Sequence, residues 1–281
     1  MSQPTPMPKI ALSNPDSDAE VYLNGAHVTR WQPKGQSDVL FMSKSSNFAA
    51  GKAIRGGVPI IFPWFGPREG QPQSPAHGFA RVMNWNVIAC DKRPDGACAM
   101  TLELASGPAT RELWPYDFAL RFTIAAEKKL SMTLTVINTD AQPFTFEEAL
   151  HTYLTVGDVR NISIDGLAGA TYIDKVDHFT RKPQAKEPIT ITGETDRVYL
   201  ATKSKCVVHD PVLGRKLVVE KQNSDATVIW NPWIAKAKAM SDFGDDEWPQ
   251  MVCVETCNVA DHAITLQPGQ SHAMTAVVSV G

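Results

Sequence analysis

The chain has 281 residues, 43% of them hydrophobic and 20% charged, a composition that suits a soluble globular protein. Lys and Arg total 27 against 30 Asp and Glu, a formal charge of −3, so nothing points to a nucleic-acid or polyanion partner and any basic site must be local. No apolar run reaches the roughly 18–20 residues of a membrane span, and the opening MSQPTPMPKI has no signal-peptide pattern, which places the expected protein in the cytoplasm.

In chain order, the first β-rich run is Val21–Leu23. The loop Arg55–Pro67 follows, with three glycines, three prolines and three aromatics around one cation. Soon after comes Pro75–Arg81 (PAHGFAR). Glycine lets backbone approach a ligand, proline fixes a loop's shape, and aromatics offer flat walls to a sugar ring. A loop that merely plugs the end of a sandwich would use the same residues. Next, Met100–Leu104, Leu120–Ile124 and Leu130–Val136 alternate apolar and polar side chains with period two, the mark of half-buried strands. Cys90, Cys98, Cys206, Cys253 and Cys257 are odd in number, scattered and without a C-x-x-C pair, so neither a disulfide framework nor a metal site is expected.

Along Phe144–Leu154 one parity holds Phe144, Phe146, Leu150 and Leu154, with Glu148 the polar exception. The other holds Thr145, Glu147, Ala149, His151 and Tyr153, a polar face able to line a cleft. Glu147 and His151, four residues apart, lie about 13 Å apart on a regular strand and cannot touch. Further runs are Ile162–Ile164, Leu217–Val219, Thr227–Trp230, Met251–Glu255 and Ala273–Val280. Turns fall at Pro94-Asp95-Gly96, Asn138-Thr139-Asp140, Asp165-Gly166, Leu213-Gly214 and Pro268-Gly269. Lys182–Pro188 reads as a surface loop, and only Trp233–Ser241 as a short helix opened by Asn231-Pro232. The expected fold is all-β, an antiparallel β-sandwich with few short helices, as a single domain over residues 1–281.

The loops and later segments resemble the aldose 1-epimerase (galactose mutarotase-like) superfamily, and within it the hexose-6-phosphate mutarotase branch, also called glucose-6-phosphate 1-epimerases. The resemblance rests on Leu23–Trp31 (LNGAHVTRW), Arg55–Gly66 (RGGVPIIFPWFG), Pro75–Arg81 (PAHGFAR), Leu113–Phe118 (LWPYDF), Leu150–Leu154 (LHTYL), Gly193–Asp196 (GETD), Val228–Ile234 (VIWNPWI) and Met251–Glu255 (MVCVE). These run in family order over nearly the whole chain. The pairing of RGG-x-P-x-x-FPWFG with HGFAR is its specific part.

The resemblance implies a β-supersandwich with the sugar on its concave face, and an isomerase that exchanges the α and β anomers of a hexose 6-phosphate, glucose 6-phosphate first among them. It implies no cofactor and no metal, with a small sugar phosphate as partner; charge and hydropathy add that no nucleic acid or membrane is expected, and a monomer is expected. By motif, Glu255 is the general base and His151 the general acid, Arg55 and Arg81 hold the phosphate, and His77 and Asp196 face the sugar. Where some family members carry a glutamine before the HG pair, this chain has Ala76, so a side-chain contact is missing there.

The residues are consistent with this chemistry. Opening the ring needs a base at O1 and an acid at the ring oxygen, set on opposite sides of the ring. Period two puts Cys253, Glu255 and Cys257 on one face, where desolvation would raise the carboxyl. Each residue also has a plainer reading: Glu255 paired with a nearby cation, His151 facing solvent, the two arginines locking loop carbonyls, Asp196 capping the turn after Gly193. Guanidinium forks nevertheless match phosphate oxygens. Trp64, Trp230 and Trp233 read as core, and His27, His178, His209, His262 and His272 as structural or surface residues. Two alternatives stand beside the leading reading: an epimerase of unphosphorylated aldoses, and a catalytically silent carbohydrate-binding sandwich.

Overall fold

Strict alternation builds the first large sheet of the computed structural model, which describes residues 7–92 and 98–281. In Phe118–Ala126 and Leu130–Asn138 every second side chain is buried. Leu120, Phe122, Leu134 and Val136 thus enter the core. The opposite face carries threonine pairs, Thr101 with Thr123 at 3.0 Å and Thr133 with Thr275 at 2.8 Å, and the Arg121–Glu103 ion pair. The order in this eight-stranded sheet is Ser163–Asp165, Cys206–Asp210, Arg215–Gln222, Ser271–Val280, Leu130–Asn138, Phe118–Ala126, Cys98–Ala105, Asn86–Lys92.

The second sheet is of another kind. Its central strands, Ala226–Asn231 and Met251–Asn258, are buried at every position, so they read as continuous apolar runs rather than alternating ones. Its order is Thr180–Pro183, Thr171–Asp174, Thr195–Leu200, Ala226–Asn231, Met251–Asn258, Glu148–Leu150, Ile60–Ile61, with Tyr153–Thr155 also paired to Met251–Asn258. Every ladder between the described strands is antiparallel. A three-stranded sheet, Lys9–Ser13, Ser17–Tyr22 and His27–Pro33, adds Val21, Val28 and Trp31 to the apolar cluster that both large sheets share. The expected all-β sandwich is therefore what the chain forms.

Local expectations fare unevenly. The helix at Trp233 is present as Trp233–Ala239, with the Asn231 side chain accepting from the Trp233 amide at 2.9 Å. A second helix, Pro108–Leu113, has no counterpart in the sequence reading, because six residues are too few for a 3.6-residue period to show. Lys182–Pro188 is not all loop. Thr180–Pro183 is an edge strand on Thr171–Asp174, and its mostly exposed side chains leave no apolar alternation to read. The Pro94-Asp95-Gly96 turn and the Cys98 side chain lie outside the described residues.

Phe144–Leu154 is the main correction. It is not one strand but three short ones, Phe144–Phe146, Glu148–Leu150 and Tyr153–Thr155, the first of them in a separate pair with Ile264–Leu266. No continuous polar face results. Glu147 leaves the cleft to accept from the backbone amides of Phe65 at 2.8 Å and Ala260 at 2.7 Å. Glu148 is fully buried, 2.8 Å from the Asn258 amide group and 3.1 Å from His272 Nε2.

That buried carboxylate has a consequence for pH. Burial pushes the Glu148 carboxyl up, and the Glu148 hydrogen bond pulls the His272 imidazole up from 6.5. A raised histidine stabilises the fold fully below its ordinary value and loses that contribution as pH climbs through the raised one. A raised buried carboxyl has the same sign, since the unfolded chain gives up that proton more readily. The unfolding midpoint should therefore fall as pH rises past neutrality. In His272→Gln this slope should flatten, as thermal melts followed by circular dichroism across the range will show.

Candidate active site

The ladders of the second sheet place the central pair. Glu148–Leu150 faces Asn258–Thr256, and Tyr153–Thr155 faces Cys253–Met251, in one common register. Carrying that register across the gap sets His151 directly opposite Glu255. Their side chains meet, with His151 Nε2 3.2 Å from Glu255 Oε1. Both residues are buried, at 7% and 1% exposure. His151 Nδ1 and Glu255 Oε2 have no protein partner. The other polar side chains of these strands mostly find partners, such as Asn231 on the Trp248 and Met251 carbonyls. Thr256 also lacks one, but only Glu255 of the two opens onto a cavity. Buried polar atoms left unpaired beside a cavity mark a place for a ligand.

That cavity has a volume of about 340 Å³, within the range of small-molecule sites. Arg55, His77, Arg81, His151, Asp196 and Glu255 all line it, so the structure brings the six residues singled out in the sequence to one place. A larger groove of about 680 Å³, with Asp165, His209 and Lys216 among its walls, contains none of them.

Two glycine-dependent close approaches shape the loops. Gly57 has φ +59°, and a Cβ there would lie 2.2 Å from the Val28 carbonyl oxygen and 2.8 Å from the His27 ring. Gly78 has φ +73°, and its Cβ would lie 1.9 Å from the Phe62 carbonyl oxygen. His27, fully buried, bonds the Gly56 carbonyl at 2.8 Å and is pushed down to about 4 by burial, so it supports the Arg55 loop as a neutral ring. His77 takes φ +63° and stands edge-on to Phe65 and to His151. Its Nδ1 accepts from the Gly66 amide at 3.3 Å, which leaves the ring proton on Nε2.

The arginines are held differently. Arg55 donates to the Tyr153 hydroxyl at 3.0 Å and to Asp242 at 3.1 Å. Arg81 donates to the Ala76 carbonyl at 2.7 Å, so position 76 contributes backbone where a side-chain contact is missing. Each guanidinium keeps a buried Nε without a partner. Burial, then repulsion from Arg55, brings Arg81 down to about 10. Two cations close enough to repel, both lining one cavity, form a ready seat for an anion. Asp196 does not cap the Gly193 turn. It sits on Thr195–Leu200 and pairs with Lys175 at 3.1 Å.

Burial drives the Glu255 carboxyl well above its ordinary value, with repulsion from Asp196 adding to it. Burial also drives His151 well below 6.5, followed by the charges of Arg55 and Arg81. The two shifts run toward each other, which suits groups that must pass protons in both directions. The expected flanking of Glu255 by thiols holds, since burial pushes Cys253 and Cys257 far up and keeps them protonated.

Sequence reasoning missed several residues that line the cavity or hold those that do. Trp230 lines the cavity and stands edge-on to His151, although its residue type reads as core. Tyr153 stacks on His151 at 4.7 Å with an interplanar angle of 13°. Lys175, Lys236 and Asp242 carry no motif, and only tertiary contacts bring them here.

Comparison with known proteins gives matches along nearly the whole chain. A family model described as aldose 1-epimerase matches residues 8–279. A protein of Cenchrus ciliaris provisionally named glucose-6-phosphate 1-epimerase is 38% identical over 263 residues, covering 90% of this chain and 78% of that one. A protein of the same provisional name from Escherichia coli strain K12 is 37% identical over 252 residues, covering 90% and 83%. The crystal structure of YeaD from Salmonella typhimurium, provisionally described as a mutarotase, superposes with a TM-score of 0.91 at 34% identity over 100% of this chain and 96% of that one.

The electrostatics of His151 can be tested directly. Its imidazole should stay neutral through the range in which ordinary histidines protonate. Arg55→Met, which removes one opposing charge, should move its titration upward, as nitrogen-edited NMR of histidine-labelled protein will show. An unmoved His151 midpoint would mean that the arginine field does not reach the ring.

Proposed function

The chain belongs to the aldose 1-epimerase family, and we propose that it interconverts the α and β anomers of a hexose 6-phosphate, glucose 6-phosphate above all. The observation that carries this reading is the His151–Glu255 contact of 3.2 Å on the wall of a cavity that also holds Arg55 and Arg81. An unphosphorylated aldose would give two converging guanidinium groups little to neutralise.

The chemistry follows from the pair. Glu255 takes the proton from O1 as the bond from C1 to the ring oxygen breaks, and His151 delivers a proton to that oxygen. A free aldehyde results. Rotation about C1–C2 presents its other face, and the same two groups run the transfer backward to close the ring. The sequence reading set acid and base on opposite sides of the ring. A side-by-side pair serves better, because O1 and the ring oxygen are both bonded to C1. His77, Trp230 and the Asp196–Lys175 pair orient the sugar, while Arg55 and Arg81 hold the phosphate. No step calls for a metal or nucleotide, and exchange should survive exhaustive chelation.

Glu255→Gln keeps shape and loses the base, so anomer exchange measured by two-dimensional NMR should fall by about 10²–10⁴-fold while binding persists. A loss under tenfold would remove Glu255 from that role. His151→Asn should match it and erase one limb of the pH profile.

Substrate choice has its own test. A charge-assisted contact is worth about 1.5–3 kcal/mol, so Arg55→Ala or Arg81→Ala should cost about ten- to a hundredfold with glucose 6-phosphate. The loss with free glucose should be far smaller. Equal proportional losses on both sugars would move the unphosphorylated-aldose reading ahead.

We also place the protein in the cytoplasm as a monomer. A charged sugar phosphate stays in the compartment where it is made, and no described helix is long and apolar enough to cross a membrane.

A further inference from the structure

Tyr153 is buried between the anion seat and the acid. Its hydroxyl accepts from Arg55 Nη1 at 3.0 Å, and its ring lies 4.7 Å from the His151 ring, nearly parallel at 13°. Trp230 closes the side, edge-on to both rings at 5.8 and 5.9 Å. The His151 imidazole therefore has little freedom to rotate, and its orientation is tied through one side chain to the Arg55 guanidinium.

We infer that Tyr153 is a positioning residue through which an anion on Arg55 and Arg81 governs the proton on His151, so that the substrate's phosphate activates ring opening as well as anchoring the sugar. This rests on the hexose-phosphate reading of the cavity. The groups facing His151 are Glu255 across the ladder, Tyr153 two residues on, Arg55, His77 and Arg81 from the two loops, and Lys175 held by Asp196. Asp242 pairs with Arg55 at 3.1 Å, while Arg81 is held by the Ala76 backbone carbonyl rather than by a carboxylate. Burial opposes an imidazolium at His151, and the charges of Arg55 and Arg81 add to that opposition. A dianion on the guanidinium groups cancels most of their field and so shifts the imidazole toward the protonated form that must donate. An imidazolium on the face of the Tyr153 ring is further stabilised by the ring's negative face. Tyr153 itself stays a neutral phenol, since burial drives its pKa far up, so it transmits position and takes no proton.

Binding energy from a remote group thereby serves the chemical step rather than affinity alone. A free sugar lacks that group, but the seat can be filled separately. Inorganic phosphate should therefore activate exchange of unphosphorylated glucose while competing with glucose 6-phosphate.

The experiment measures anomer exchange of glucose 6-phosphate, of glucose, and of glucose with added inorganic phosphate, in the wild type and in Tyr153→Phe. Phenylalanine keeps the stack and removes only the hydroxyl link. In the wild type, phosphate should raise glucose exchange by about tenfold or more, since a remote anion can lower the barrier this way. In Tyr153→Phe that activation should vanish. With glucose 6-phosphate, kcat should fall about tenfold, the size of one charged hydrogen bond, with KM nearly unchanged. Phosphate should still inhibit glucose 6-phosphate exchange in the variant, showing that the seat is intact. If phosphate competes with glucose 6-phosphate yet leaves glucose exchange unchanged in the wild type, the inference fails and the substrate reading stands. Activation retained in Tyr153→Phe overturns the role of Tyr153. If glucose 6-phosphate exchanges no faster than glucose and phosphate does not compete, both readings fall together.

Discussion

The constraint on which the rest depends is the burial of an ionisable pair, Glu255 on a strand covered on both faces and His151 opposite it. A strand buried on one face can send polar residues to water. Met251–Asn258 has no such face, so each polar group on it needs an internal partner or a ligand. Asn258 reaches Glu148 and the Asn223 carbonyl, whereas Glu255 reaches only His151 and keeps one oxygen unsatisfied. The fold carries this cost because the ladders on both sides of the strand, to Ala226–Asn231 and to the two segments around His151, hold it in place. The same rigidity keeps His151 and Glu255 side by side.

A second requirement follows from the first. Charges that act on a buried pair must themselves be held against solvent, and the Arg55–Pro67 loop is built to do that. Its glycines let it press onto Val28 and His27, its short strand Ile60–Ile61 pairs with Glu148–Leu150, and Asp242 and Tyr153 fasten the Arg55 side chain. Arg81 reaches the same cavity from a different loop, which Gly78 presses against the Phe62 carbonyl. The two guanidinium groups thus come from segments that each rest on the sheet carrying His151 and Glu255. In the proposed reaction, phosphate recognition and proton transfer would share that frame.

The two large sheets divide the work accordingly. The alternating sheet, with threonine pairs and an ion pair on its outer face, supplies one wall of the core and none of the residues around the candidate cavity. The other trades simple alternation for strands buried on both faces, interrupted ladders and side chains that must find particular partners. Glu147 illustrates the trade. It looks like a cleft carboxylate beside His151, yet it ties the Phe65 and Ala260 amides to its own segment.

Period two in Leu130–Val136 and Leu120–Ile124 already determined an all-β sandwich, because side-chain direction in a strand is a local property. The glycines, prolines and arginines of RGGVPIIFPWFG and HGFAR marked the loops for the same reason, and the face bearing Glu255 followed from counting along Met251–Cys257. The sequence alone could not show where a strand breaks. The break at Glu147 comes from a change of neighbour, from Ile264–Leu266 to Met251–Asn258, while the register kept across 151–152 sets His151 opposite Glu255 with Tyr153 stacked along it. Nor could it supply Lys175, Asp242 and Trp230, whose roles depend on segments far apart in the chain meeting at one cavity. Local conformation is written in short-range patterns. Which distant charges share a desolvated space is decided only when the sheets close.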